Sequence, residues 1–302
     1  MKIAKIGIVS SGDMGQAVAM RLKACGYDVY TPLEGRSERT AQLAKQAGLV
    51  DCETVEHMVA TCDTVLSILN PAAAVEKARE VATALRASSR KIVYVDCNAI
   101  APLTVLEIDR LIREAGSIFI DAGIIGPPPR GKLKTKLYVS GPAASELSQI
   151  VDPQLQISIV SERVGDASAV KMCYASLTKG TLALGVELLI AARKLGVEQA
   201  LEAELRDSQP DILDWVVSRS VSMPPKAHRW VPEMLEIAKT FEGVGLTPRI
   251  LQGAADMYEL IAKTSLGCES PEKARSHGRT GAEVVQGLAD GLKSGTSTAG
   301  RS

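Results

Sequence analysis

Two groups of residues in this 302-residue chain have types and spacings suited to chemistry. The first is Ser10-Ser11-Gly12-Asp13-Met14-Gly15, which follows an apolar run at 3–9 and enters a helical pattern at 12–25. Glycines placed this way let the chain turn tightly and let backbone amides approach an anion. The helix start adds unpaired N–H donors and the positive end of its dipole, so the fitting ligand is a phosphate or pyrophosphate. The usual spacing is G-x-G-x-x-G; here Ser10 stands first, with Gly12 and Gly15 at the other two positions. The second group centres on Lys171, in an otherwise apolar helical stretch at 167–175. A lysine is costly to bury there unless it is used, and proton transfer is the use it suits. The plain alternative is a helix lysine whose stem reaches solvent. Helical spacing puts Ser168, Tyr174, Ala175 and Thr178 on neighbouring faces within two turns. Tyr174 and Thr178 can offer hydroxyls there or simply pack. Cys173 lies close by, but no base stands beside it in sequence to make it a nucleophile.

The elements that must position these groups can be read from hydrophobic period. Short apolar runs at 3–9, 28–31, 63–69, 91–95, 117–121, 136–140 and 156–160 read as strands. Between them, 12–25, 37–47, 72–86 and 102–115 read as helices. Ser37 caps the second of these and Pro102 sits in the first turn of the last. Strands alternating with helices imply right-handed βαβ units and a mostly parallel, doubly wound sheet. This predicts an α/β Rossmann domain over 1–162. Beyond it, 165–195, 198–208, 211–218, 232–241, 248–264 and 278–292 are helix-compatible, with no convincing strand. They predict an all-α C-terminal domain over 163–292. The Gly/Ser/Thr-rich stretch 293–302 is expected to be disordered.

In such a sheet, ligands lie outside the C-terminal ends of the strands. The 10–15 turn is then the pyrophosphate cradle of a dinucleotide, and Leu69, Asn70 and Asn98, each just past a strand, are expected beside the cofactor. Asn98 is expected to touch the nicotinamide or the substrate. Asn70 precedes Pro71 and serves equally well as a turn former. An NAD site wants Asp or Glu at the end of the second strand, but Tyr30 and Thr31 stand there, and Thr31 is expected to touch the cofactor. Arg36 with Ser37, aided by Arg39 or Thr40, can hold a 2′-phosphate through charge-assisted bonds. NADP is therefore expected over NAD. Glu34 argues the other way if the loop folds back, and both arginines can be solvated charges at a helix start.

Bulk properties exclude other classes. Lys plus Arg equals Asp plus Glu at 35 each, so no net charge draws the chain to nucleic acid or an anionic membrane. Aromatics are only 3%, too few for base-stacking platforms. The six cysteines are scattered, without a C-x-x-C pair, which fits reduced thiols and no metal site. The opening Met1-Lys2-Ile3-Ala4-Lys5 has no signal-like apolar region, and no stretch reads as a membrane span. The expectation is a cytoplasmic protein.

In order along the chain, four segments resemble the motifs of the β-hydroxyacid dehydrogenase family. That family includes 3-hydroxyisobutyrate and 6-phosphogluconate dehydrogenases, with imine reductases as relatives. Ile6-Gly7-Ile8-Val9-Ser10-Ser11-Gly12-Asp13-Met14-Gly15 is similar to the family's I-G-x-I-G-x-G-x-M-G start. Asp96-Cys97-Asn98-Ala99-Ile100-Ala101-Pro102 resembles D-x-S-T-x-x-P. Asp121-Ala122-Gly123-Ile124-Ile125-Gly126-Pro127 resembles the D-A-P-V-S-G-G substrate loop. Gly165 to Ala175 resembles G-x-x-x-x-x-K-x-x-x-N, with Lys171 as the lysine.

The resemblance implies a hydride-transferring oxidoreductase with Lys171 as general acid and base. It implies substrate contacts from Ile125, Gly126, Tyr174, Ala175 and Thr178. There are departures. Ile125 replaces the loop serine, Pro127 its last glycine and Ala175 the asparagine. Pro232-Glu233-Met234 stands where the family has K-D-L. Tyr174 or Thr178 can replace the lost asparagine's hydrogen bond. Arg229 can supply the missing positive charge, or be a solvated helix-start residue, and His228 reads as a surface or capping residue. Arg130 and Lys132 can belong to pocket or surface. The expected activity is an NADP-dependent dehydrogenase or reductase acting on a β-hydroxyacid or related carbonyl compound. An imine reductase is the alternative, and a non-catalytic NADP-binding protein a third. The helical half implies a homodimer, since its long helix needs a partner to cover its apolar face.

Overall fold

Buried β-branched runs make strands, and the glycines and caps between them make turns. The computed structural model describes residues 2–292, so the expectation for 293–302 lies outside the described residues. Strand β1 (Lys5–Ile8) turns at Gly12 into helix α1 (Asp13–Ala24), followed by β2 (Asp28–Thr31) and α2 (Glu38–Gln46). Ser37 caps α2 as expected, its side chain accepting from Thr40 N–H. Next come β3 (Val50–Asp51), α3 (Val55–Thr61), β4 (Thr64–Ser67), α4 (Ala74–Ser88), β5 (Val93–Asp96) and α5 (Pro102–Glu114). The sheet closes with β6 (Ile118–Ile125), β7 (Thr135–Ser140) and β8 (Leu155–Ser161).

The eight strands lie in the order β3-β2-β1-β4-β5-β6-β7-β8. Neighbours are parallel except β6 and β7, which run antiparallel. A parallel pair needs a crossover of a dozen residues or more, whereas β6 and β7 are joined by the short 126–134 loop. The expected Rossmann domain is therefore present. Side chains alternate across it. Val93 and Val95 of β5 pack on one face with Ile6, Ile8 and Leu22, and Tyr94 on the other with Met58, Val65 and Ile108. Gly7 makes room for α3, since a Cβ there would meet Met58 at 2.7 Å.

The remainder is helical: α6 (Asp166–Lys194), α7 (Glu198–Ser208), α8 (Pro210–Ser220), α9 (Ala227–Glu242), α10 (Arg249–Ala262), α11 (Pro271–Ser276) and α12 (Gly281–Gly291). The expected all-α second part is thus also present. Two compact units emerge: Met1–Tyr174 with Gly243–Gly245, and Ala175–Glu242 with Leu246–Ser302. The division falls inside α6 rather than at residue 162, because the first turns of that helix are bonded into the sheet.

Several expectations need correcting. Residues 50–61 hold β3 and α3, for which the sequence pattern predicts nothing. Strand β6 runs on to Ile125, not 121, because it gains a second partner in β7. Helix α9 begins at Ala227 and carries Pro232 inside it, not at its start. Helix α6 is also long and apolar enough to cross a membrane, with mean hydropathy 1.4 over its most apolar window, contrary to the expectation that no stretch would be. Of that window, 39% is buried inside the molecule.

Candidate active site

The cradle is built by two glycines used in opposite ways. Gly15 is a contact position: a Cβ there would lie 2.1 Å from the Ser10 carbonyl oxygen, so only glycine lets α1 sit so close to the end of β1. Gly12 is an open position, with nothing within 4 Å of where a Cβ would be. It is the N-cap of α1 and has no side chain to satisfy the first-turn amides. Open space and uncapped donors together fit an anionic group. Around them, Ser11 is buried and donates to the Thr40 carbonyl at 3.3 Å, tying the turn to α2. Met14 is partly buried against the core. Asp13 receives the Arg130 guanidinium, Nη1 to Oδ1 at 2.8 Å, while Nη2 reaches the Asp13 carbonyl at 2.9 Å and Gln16 Oε1 at 2.6 Å. Motif reading leaves Arg130 open between pocket and surface. No local pattern signals the clamp, since its partners lie 114 and 117 residues away.

Past the second strand, Thr31 is buried with no hydrogen-bond partner at its hydroxyl, so it belongs to the core. This corrects the expectation that it touches the cofactor by its side chain. Arg36 donates from Nη2 to the Val9 carbonyl at 3.0 Å, which brings its guanidinium to the C-terminal end of β1. Ser37 is exposed and bonded to Thr40.

Asn98 is corrected as well. It is buried and its amide is committed: Oδ1 accepts from Leu69 N–H at 2.7 Å, and Nδ2 donates to Ser67 Oγ at 3.0 Å and Asp96 Oδ2 at 2.9 Å. It joins the C-terminal ends of β4 and β5 and aims the Leu69 backbone rather than reaching a ligand. Asn70 is exposed and accepts from Ala72 N–H, the turn-forming role left open above. Beneath Asn98, burial and the nearby Asp121 charge push the Asp96 carboxyl up to about 7, against the Asn98 donors that hold it down.

Lys171 is mounted by Asp121 and Gly123 of β6. The buried Asp121 carboxylate accepts from Ser168 Oγ at 2.6 Å, Ser168 N–H at 3.0 Å, Gly165 N–H at 3.1 Å and Ser140 Oγ at 2.9 Å. A carboxylate at a helix start satisfies free amides and opposes the dipole favourably. Gly123, which stands where the family motif has proline, then lets the helix descend onto the strand. A Cβ there would lie 2.7 Å from the Ala167 carbonyl oxygen and 2.9 Å from Lys171 Cβ. Because β5 and β6 are parallel with Asp96 opposite Asp121, Gly123 lies beyond the C-terminal end of β5. The base of Lys171 is thus on the ligand side of the sheet. Ile125 is half-buried at the end of β6, and Gly126 turns the chain with φ +127°. Tyr174 and Cys173 are exposed.

In the second unit, Ala175 is buried, which corrects the expectation of a substrate contact from its methyl group. Thr178 is half-buried, and Arg229 and His228 are exposed in the first turn of α9. Motif reading misses Lys179. Its ammonium pairs with Glu233 at 2.7 Å and lies 5.4 Å from the Trp230 ring centre. Tyr258 donates its hydroxyl to the Lys179 carbonyl at 2.7 Å and meets Trp230 edge-on. A carboxylate therefore occupies the K-D-L position and holds the second lysine of α6. Two turns of spacing from Lys171 in an apolar helix were the signal available. Among the described residues, no group of three or more His, Cys, Asp or Glu is placed to hold a metal.

A strand-glycine-helix cradle and a lysine, both on the ligand side of one doubly wound sheet, fit a dinucleotide-binding oxidoreductase. Comparison agrees. The sequence family described as the NAD binding domain of 6-phosphogluconate dehydrogenase matches residues 5–156, and a domain of unknown function, DUF1932, matches 192–261. An uncharacterized 28.5 kDa protein of Methanothermus fervidus is 29% identical over 85% of this chain and 98% of its own. The 2-(hydroxymethyl)glutarate dehydrogenase of Eubacterium barkeri is 25% identical over 76% of this chain and 75% of its own. Among solved structures, MTH1747, a conserved protein of unknown function described as similar to 3-hydroxyacid dehydrogenases, shares 30% identity. It superimposes with TM-score 0.63 over 91% of this chain and 99% of its own. The Mycobacterium tuberculosis 3-hydroxyisobutyrate dehydrogenase shares the fold at 19% identity, TM-score 0.68, covering 92% and 100% of the two chains. An imine reductase of Myxococcus stipitatus in complex with NAD+ does so at 21%, TM-score 0.54, covering 95% and 99%. The chain belongs to the β-hydroxyacid dehydrogenase family of NAD(P)-binding dehydrogenases and reductases.

Proposed function

We propose that the protein is an NADP-dependent oxidoreductase that moves a hydride between the nicotinamide and a β-hydroxyacid or related alcohol or carbonyl compound. The observation that carries the reading is the mounting of Lys171 over Gly123, on the ligand side of the sheet that also bears the cradle. The bound cofactor supplies or accepts the hydride. The first-turn amides of α1 at Gly12 to Gly15 bind the pyrophosphate, with Ser10 and Ser11 shaping the turn. Arg36 and Ser37 take the 2′-phosphate. Leu69 and Asn70 flank the cofactor, with Asn98 behind them. Lys171 gives a proton to the carbonyl oxygen in reduction and takes it back in oxidation, which typically contributes about 10²–10⁴-fold. Ile125, Gly126, Tyr174 and Thr178 line the substrate, and Arg229 offers a positive charge. The helical unit beyond Tyr174 forms the substrate and dimerisation domain of a cytoplasmic homodimer.

The test is turnover with NADPH and NADH over a panel of hydroxyacids, semialdehydes and cyclic imines. Lys171→Ala should cut kcat roughly 100-fold or more while leaving NADPH affinity within about threefold. Unchanged turnover would remove the proposed acid and base. Arg36→Ala should weaken NADPH binding about tenfold or more and leave NADH binding unchanged, since a hydrogen bond to a charged group contributes about 1.5–3 kcal/mol. Equal effects on both cofactors would reverse the NADP assignment.

A second reading, imine reduction, is favoured by one feature. Ile125 and Pro127–Pro129 make the substrate loop less polar than the family motif, and an imine that arrives protonated needs less from Lys171. Reduction of a cyclic imine that survives Lys171→Ala would select it. Tight NADPH binding with no turnover on any compound would instead mark a binding protein.

A further inference from the structure

The loop between β6 and β7 is not a free surface turn. The Thr135 hydroxyl donates to the Pro127 carbonyl, Leu133 N–H donates to the Arg130 carbonyl at 3.0 Å, and the Gln154 side chain donates to the Gly131 carbonyl. Three successive prolines, 127 to 129, stiffen the approach to Arg130. The loop thus presents one guanidinium to the first turn of α1, where it makes three bonds to Asp13 and Gln16.

That turn carries a conflict. Asp13 is the first residue of α1, directly after the open Gly12. A carboxylate there favours the helix dipole. The same carboxylate repels the pyrophosphate that the turn is otherwise built to hold. Both partners are partly exposed, with side-chain exposures of 40% for Arg130 and 33% for Asp13, so the pair adds little to fold stability. Its consequence is local: it cancels a charge at the mouth of the cradle.

We propose that Arg130 is a determinant of dinucleotide affinity, a positioning residue that neutralises Asp13 and thereby makes the first turn of α1 attractive to a pyrophosphate. The inference rests on the family's dinucleotide binding and adds a residue from outside its motifs. It also links the substrate loop to the cofactor helix, since Ile125 and Gly126 lie at the start of the stretch that Arg130 anchors.

The experiment is titration of the full-length protein with NADPH by nicotinamide fluorescence, in the wild type, Arg130→Ala, Arg130→Gln, Asp13→Asn and the Asp13→Asn/Arg130→Ala double variant. Arg130→Ala and Arg130→Gln should each raise Kd about fivefold or more. Asp13→Asn should hold or lower it. The double variant should return to within about twofold of the wild type. The Arg130→Ala effect should also shrink in about 0.5 M salt, as an electrostatic effect must. A double variant as weak as Arg130→Ala would show that the arginine acts by holding the loop and would overturn the proposal. Folded Arg130 variants with wild-type Kd would do the same. A wild type that binds no dinucleotide would instead sink the cofactor assignment itself.

Discussion

At the scale of single residues, the least expected group is Asp96. It is fully buried, and its carboxyl is pushed up to about 7 by desolvation and by Asp121 across the β5–β6 pair. An acid whose pKa rises on folding binds its proton more tightly in the folded state. Its stabilising contribution is whole below the ordinary value near 3.8 and is lost as pH climbs toward 7. A tenfold gain in proton affinity is worth about 1.4 kcal/mol, so the loss approaches about 4 kcal/mol at most. Asp121, also raised by burial, adds in the same sense. Thermal melts should therefore show the wild type less stable at about pH 8 than at about pH 5.5, with Asp96→Asn showing a smaller decline. Parallel pH profiles for the two proteins would refute this. The residue scale is also where the sequence is hardest to read. The glycines of the cradle can be named from a short motif because their neighbours in sequence are their neighbours in space. The work of Asn98 and Arg130 cannot, because Ser67 and Leu69, or Asp13 and Gln16, reach them only through the fold.

Among the elements, α6 has the most demanding placement. Gly123 lets its second turn rest on β6, and the contacts a Cβ would make there are with backbone and a Cβ, neither of which can rotate away. Gly123→Ala should force the helix outward, destabilising the protein by about 1–3 kcal/mol. It should lower kcat more than it lowers NADPH affinity, since α1 and its cradle are untouched. A melting temperature and kcat equal to those of the wild type would show that the helix can slide without loss. Most long elements are legible, since their hydrophobic period extends over two turns or more. Strand β3 is not, because two exposed residues, Val50 and Asp51, carry no period. Helix α3 has only seven residues and hides in the same gap. Pro232 misleads in another way. A proline usually marks a helix start, yet here an apolar segment beginning at Ala227 holds its helix through the loss of one backbone bond.

For the whole molecule, the two units divide unequal kinds of knowledge. The sheet matches a family whose ligand chemistry is plain from its motifs, while 192–261 matches one of unknown function. The helical unit keeps exposed apolar side chains on α6, Leu177 at 68% and Leu184 at 65%, seven residues apart and so on one face. Near Leu184, residues Leu188, Leu189, Leu205, Ile212 and Leu213 line an apolar hollow of about 100 Å³. Such a face is expected to meet a second copy, so light scattering should give twice the chain mass, and Leu184→Glu should shift it toward one chain. A monomeric wild type would rule the dimer out. The division of the chain within α6 separates the anchored lysine from the rest of its helix. Lys171 is anchored through Asp121 in the first unit, whereas the helix beyond Tyr174 belongs to the second. On the proposed reading of Lys171, substitutions after residue 174 leave the anchorage of its proton-carrying side chain in place. Of the departures from family pattern, Ala175 and Glu233 fall beyond that boundary, and Ile125 and Pro127 before it.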